Sequence, residues 1–229
     1  MTLRFWAVVL TCSLWAAPLP AESPQKLLQR TAQTYARLKT FQVEAVAERR
    51  IEGGLLDQRA TVAVYASLPD KFRIEIRNDR AQAEVVIVTN GRDTAEFHPG
   101  SKDYFPLGGA EVSPSFSPER GMGFGEMIYD TIADDVFKSN IHGIQILKIG
   151  SEDYRCAVVD VQYGPSSGRA QYSFWIALDT TLVLRRAVTF ADEKGTIKTV
   201  ISTVKALTLN DRLDDSVFEI LTVGPSTVL

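Results

Sequence analysis

The chain has 229 residues, 45% of them apolar, and its 25 Lys and Arg against 28 Asp and Glu leave a net charge of −3. That acidic balance argues against nucleic acid, which needs a basic contact surface, and no Lys/Arg block marks docking on an anionic membrane. The length suits one large domain with a full core.

Met1 to Arg4 supply one positive charge, Phe5 to Ala17 form an apolar run, and Pro18-Leu19-Pro20-Ala21 breaks it before Glu22-Ser23. This pattern predicts a secretory signal peptide over residues 1–21 and an exported mature domain over 22–229. The run is too short to span a membrane, and no later run approaches the roughly 18 apolar residues a span needs. Thr11 before Cys12 is not the Gly, Ala or Ser that lipidation favours. Cleavage leaves Cys156 as the remaining cysteine, so packing rather than an internal disulfide must stabilise the domain.

Ser23 is a capping residue and Pro24 suits a first helical turn. Leu27, Leu28, Thr31, Ala32, Tyr35 and Leu38 recur at helical spacing to about Lys39. From Phe41 the period becomes two: Phe72, Ile74 and Ile76 alternate with Lys71, Arg73, Glu75 and Arg77. Strands are predicted over 41–50, 57–67, 71–77, 83–90, 93–98 and 102–107, separated by turns such as Gly53-Gly54, Pro69-Asp70 and Asn90-Gly91. Phe124, Met127, Ile128, Thr131, Ile132 and Val136 then lie at helical spacing behind Gly121-Met122-Gly123, predicting a glycine-hinged helix of about 14 residues. Strands resume over 144–150, 156–163, 170–178, 182–191 and 196–207. The fold class is mainly β (α+β): an antiparallel meander of about eleven strands with an N-terminal helix and a helical insertion mid-chain.

Candidate catalytic groups are few. Gly164-Pro165-Ser166-Ser167-Gly168 matches G-x-S-x-G, but that elbow needs a helix after its serine, and here both flanks read as strands. His98 and His142 are the two histidines, and neither has metal-ligand spacing. Cys156 reads as a small buried residue. Asp134-Asp135 and Asp214-Asp215 read as a solvated helix face and a turn. No catalytic residue, metal site or cofactor is predicted. A twisted sheet of this size curls and leaves a concave apolar face. Phe41, Val43, Phe72, Ile74, Ile76, Val85 and Ile87 are its candidate walls. Met122, Phe124, Met127, Ile128 and Ile132 read equally as a lid over a ligand cavity and as a core plug.

A series of short motifs carries a family resemblance. Leu38-Lys39-Thr40-Phe41, Leu68-Pro69-Asp70-Lys71-Phe72-Arg73, Val88-Thr89-Asn90-Gly91 and Phe97-His98-Pro99-Gly100 come first. Trp175-Ile176-Ala177-Leu178-Asp179, Leu184-Arg185-Arg186 and Leu213-Asp214-Asp215-Ser216-Val217-Phe218 follow. In order and spacing these resemble the LolA/LolB-like superfamily of periplasmic lipoprotein carriers, with the amino-terminal domain of RseB/MucB and mycobacterial lipid-binding lipoproteins. Gly150 to Cys156 is similar to an uncharacterised bacterial branch of it. The resemblance implies an unclosed antiparallel β-barrel capped by helices, with an apolar cavity for a lipid or acylated ligand and no enzymatic activity. It also implies, as an alternative, an RseB-type module that binds a partner polypeptide of the cell envelope. Leu68 stands where sorting members usually carry an Arg that helps hold the lid, a departure that bears on lipoprotein transfer rather than on apolar binding.

Overall fold

The computed structural model describes residues 22–77, 83–109, 129, 132–164, 170–192 and 194–220. Helix α1 (Pro24–Ala36) begins where the Ser23 side chain accepts from the Lys26 N–H at 3.3 Å. It stops three residues short of the predicted end. The Arg37 N–H turns back to the Thr34 carbonyl, and β1 (Thr40–Ile51) follows at once. The first half of the sheet continues as β2 (Leu56–Ser67), β3 (Lys71–Arg77), β4 (Ala83–Asn90), β5 (Asp93–His98) and β6 (Asp103–Gly109). The second half comprises β7 (Val136–Ile149), β8 (Glu152–Tyr163), β9 (Gln171–Ala177), β10 (Val183–Ala191) and β11 (Ile197–Leu209).

Turn chemistry sets the hairpins. At Asn90-Gly91 the Asn90 carboxamide oxygen accepts from the N–H groups of Arg92 and Asp93, at 2.9 and 3.0 Å. Gly91 has φ +89°, a conformation that favours glycine, and a Cβ there would also push aside the Asp70 carboxylate, whose Oδ2 lies 2.7 Å from its position.

All pairings among the described residues are antiparallel, in the order β6-β5-β4-β3-β2-β1-β11-β10-β9-β8-β7. Each strand thus pairs with its sequence neighbours, and β1 with β11, as in a closed ring. The ring is cut at one place, between β6 and β7. Helix α1 and β11 both approach β7, so the sheet curls around the helix and stays unclosed.

The register aligns apolar side chains in rows on the inner face. Phe41, Ala66 and Phe72 form one row; Val43, Val64, Ile74 and Ile87 the next; Ala45, Val62, Ile76 and Val85 a third. Leu27, Leu28, Thr31 and Tyr35 of α1 are buried against this face. On the outer face a short 3-10 turn, Asp215–Phe218, packs beside β3. There Lys71 Nζ meets Asp215 at 2.9 Å, and Phe218 is buried.

The structure corrects the sequence reading around the insertion. Helical spacing puts Val136 on the inserted helix and starts the next strand at 144, but β7 begins at Val136 and residues 132–135 form a turn. Bulges at Val136/Lys138 and Ile141/Gly143 break the period of two and hide this half-strand in the sequence. Of the rest of the predicted inserted helix, residues 124–128, 130 and 131 lie outside the described residues.

A candidate apolar binding site on the inner face

The centre of the inner face is built by β1, β11 and β10, whose alternation turns Phe41, Val43, Leu184, Val204 and their neighbours inward. Tyr129, from the segment inserted at the opening of the ring, lies over them. Its ring meets Tyr35 edge-on at 5.2 Å and Phe174 edge-on at 5.8 Å. The aromatic contact extends through Phe41 on one side and through Tyr172 to Tyr163 on the other. The Tyr163 hydroxyl donates to the Ile132 carbonyl at 3.0 Å, holding the end of the inserted segment. With Tyr129 in place, the space left beneath it is about 10 Å³, room for one water at most.

Tyr35 links helix to sheet. Its hydroxyl accepts from the Val183 N–H at 3.2 Å, and burial pushes its ionisation far above the ordinary phenol range. The site therefore holds a neutral phenol and a satisfied backbone donor.

The predicted walls do lie together. Phe41, Val43, Ile74 and Ile87 are buried in the core, and Phe72, Ile76 and Val85 are half-buried against it. Ile132 is buried in the same cluster. Met122, Phe124, Met127 and Ile128 lie outside the described residues. The sequence reading missed Tyr129, Phe174, Leu184, Arg186 and Ser202. The signal for the last three was available: in β10 and β11 they alternate with solvent-facing residues, and Arg186 falls in phase with Leu184 and Val188.

A wider groove of about 720 Å³ lies at another end of the sheet, between Lys71, Asn90, Asp93, Tyr104, Asp215 and Phe218. Its charged and amide walls suit an acyl chain poorly, and it does not open on the inner-face centre.

No protein-family model and no curated protein matches the sequence. Solved structures do. The chain is similar to the Mycobacterium tuberculosis lipoprotein LppX, with a TM-score of 0.50 and 14% identity over 83% of this chain and 97% of that one. An uncharacterized conserved protein of Thermus thermophilus gives 0.50 and 13% over 88% and 96%. A LolA superfamily protein of Nitrosomonas europaea gives 0.42 and 15% over 87% and 99%. The chain shares the fold of LppX. At such identities the likeness fixes the architecture and leaves the ligand open.

Within this fold, Leu68 is half-buried against the core, and its N–H donates to the Lys39 carbonyl at 2.9 Å. Cys156 is buried, and burial, with Asp179 nearby, pushes its thiol up to about 12, far from a reactive thiolate. His142 Nε2 contacts one oxygen of Asp160, and Ser173 Oγ donates to the other at 2.6 Å. The carboxylate lies between hydroxyl and imidazole, so the imidazole is not placed to take the serine proton. Ser166 lies outside the described residues, but the stretch that holds it joins β8 to β9. Among the described residues both flanks of that stretch are strands, whereas a nucleophile elbow needs a strand before it and a helix after it. No described helix is long and apolar enough to cross a membrane.

Proposed function

We propose that the protein is a carrier that holds a lipid or acylated ligand on the inner face of its sheet, acting in the periplasm once residues 1–21 are removed. The observation that supports it is the place of Tyr129. A residue of the segment inserted at the opening of the ring fills the centre of a largely apolar face. Its withdrawal would expose Phe41, Val43 and Leu184 to an acyl chain, with Met122, Phe124, Met127 and Ile128 as lid from the same insertion. Each methylene taken from water favours the groove by about 0.8 kcal/mol, so a long chain gains on the order of 10 kcal/mol before ordering costs. Holding such a ligand asks for no catalytic group and no cofactor.

An environment-sensitive fluorescent fatty acid tests this. The wild type should bind it saturably, and Tyr129→Ala should bind it several-fold tighter, because the plug no longer has to be displaced. Failure of both proteins to bind any acyl probe would remove the reading.

A second reading, a module for a partner polypeptide, is favoured by the edge strand β7, where Phe137 and Ile146 are 76% and 67% exposed. A partner strand would pair along that edge. Ile146→Lys should weaken such a partner and leave acyl-probe binding unchanged.

A further inference from the structure

Across the inner face, Ala47, Ser202, Arg186, Phe174 and Val159 stand side by side on β1, β11, β10, β9 and β8. Two of the five are polar, and both belong to the interior: Arg186 is 3% exposed and Ser202 5%. They are direct cross-strand neighbours, which puts their side chains within reach of each other. Both line the small cavity under Tyr129, with Phe41, Val43 and Leu184. A guanidinium on an apolar wall is costly to bury, and sheet packing alone would favour an aliphatic residue in its place. The Ser202 hydroxyl has no hydrogen-bond partner among the described residues, although buried hydroxyls almost always find one. An apolar wall with a guanidinium fork and an unused hydroxyl side by side has the chemistry of an oxyanion seat.

We propose that Arg186 and Ser202 form the polar anchor of this cavity, taking the carboxylate or phosphate head of a single-chain acyl amphiphile. The tail lies along Phe41, Val43 and Leu184 once Tyr129 withdraws. One chain rather than two is the fit because the cavity is narrow, about 10 Å³ with Tyr129 in place. Arg186 already interacts with a neighbour in this state, so the incoming head exchanges for that contact rather than meeting a bare charge. The inference rests on the carrier reading of the same cavity and adds to it the class of ligand head.

Three amphiphiles of one tail length, palmitate, hexadecyl phosphate and hexadecanol, separate the terms when titrated below their micelle concentrations into wild type, Arg186→Met and Ser202→Ala. The wild type should prefer at least one anion over the alcohol by about ten- to a hundred-fold, the range of a charge-assisted hydrogen bond. A preference for palmitate assigns a fatty acid, and one for the phosphate assigns a phospholipid-type head. Arg186→Met should erase the preference while hexadecanol still binds as in the wild type, which also shows that the variant folds. Ser202→Ala should reduce it by about three- to tenfold. Equal binding of alcohol and anions by the wild type overturns the anchor and leaves the carrier reading standing, as does a preference that survives Arg186→Met. No binding of any of the three overturns both.

Discussion

Tyr35 shows how much one side chain does here. It closes the helix against the sheet, packs its ring against Phe41 and Tyr129, and is the acceptor for the N–H of Val183 at the start of β10. Tyr35→Phe keeps the ring and deletes the acceptor, leaving a buried donor unsatisfied. It should lower unfolding stability by about 1–3 kcal/mol in urea titration, with an unchanged far-ultraviolet spectrum. A loss below a few tenths would mean that water or another group serves Val183. Ser23, Pro24, Asn90 and Gly91 act as their residue types predict, capping and turning the chain through local hydrogen bonds and φ. Such residues are legible because their effect is confined to their own neighbourhood.

At the scale of single elements, β3 carries two faces with separate tasks. Phe72, Ile74 and Ile76 point inward, while Glu75 on the outer face is held between Arg73 and Arg77, at 2.7 and 2.5 Å. Burial raises the pKa of Glu75, but the hydrogen bonds from Arg77 and Arg73 outweigh it, and the net value lies below the ordinary 4.5. The folded state thus favours the carboxylate. The stabilisation is complete at pH above the ordinary glutamate value and fades as pH falls through the lowered one. Glu75→Gln should cost up to about 1 kcal/mol at pH 7, and the difference between variant and wild type should vanish in the acid limb of a stability-pH curve. A difference that stayed constant throughout the acid limb would show that the loss is one of packing. The strands were legible wherever one face is wet and the other dry, as in β3. In the first half of β7, residues 136–143, they were not, because an edge position and two bulges let Phe137 face solvent and the alternation collapse. Arg186 and Ser202 were in phase with apolar neighbours. A list of walls drawn up by hydrophobicity alone passes over the polar residues that the pleat carries inside.

For the whole molecule, the arrangement of the ring matters more than any element. Two meanders joined through β1 and β11 leave the sheet open between β6 and β7, and Tyr129, from the chain between those two strands, lies at the centre of the inner face. The number of strands and the inward pattern could be read from the sequence. The pairing of β1 with β11, and therefore the position of the opening, could not, since it is a contact between opposite ends of the chain with no local signature. The central claim is that this interior holds an acyl ligand. Native mass spectrometry of protein purified from the periplasm, with lipid analysis of its organic extract, tests it most directly. The account predicts a discrete adduct that extracts as an acyl-chain amphiphile and that wild-type protein regains on incubation with membrane lipids. A clean ligand-free mass that stays unchanged after that incubation would contradict it.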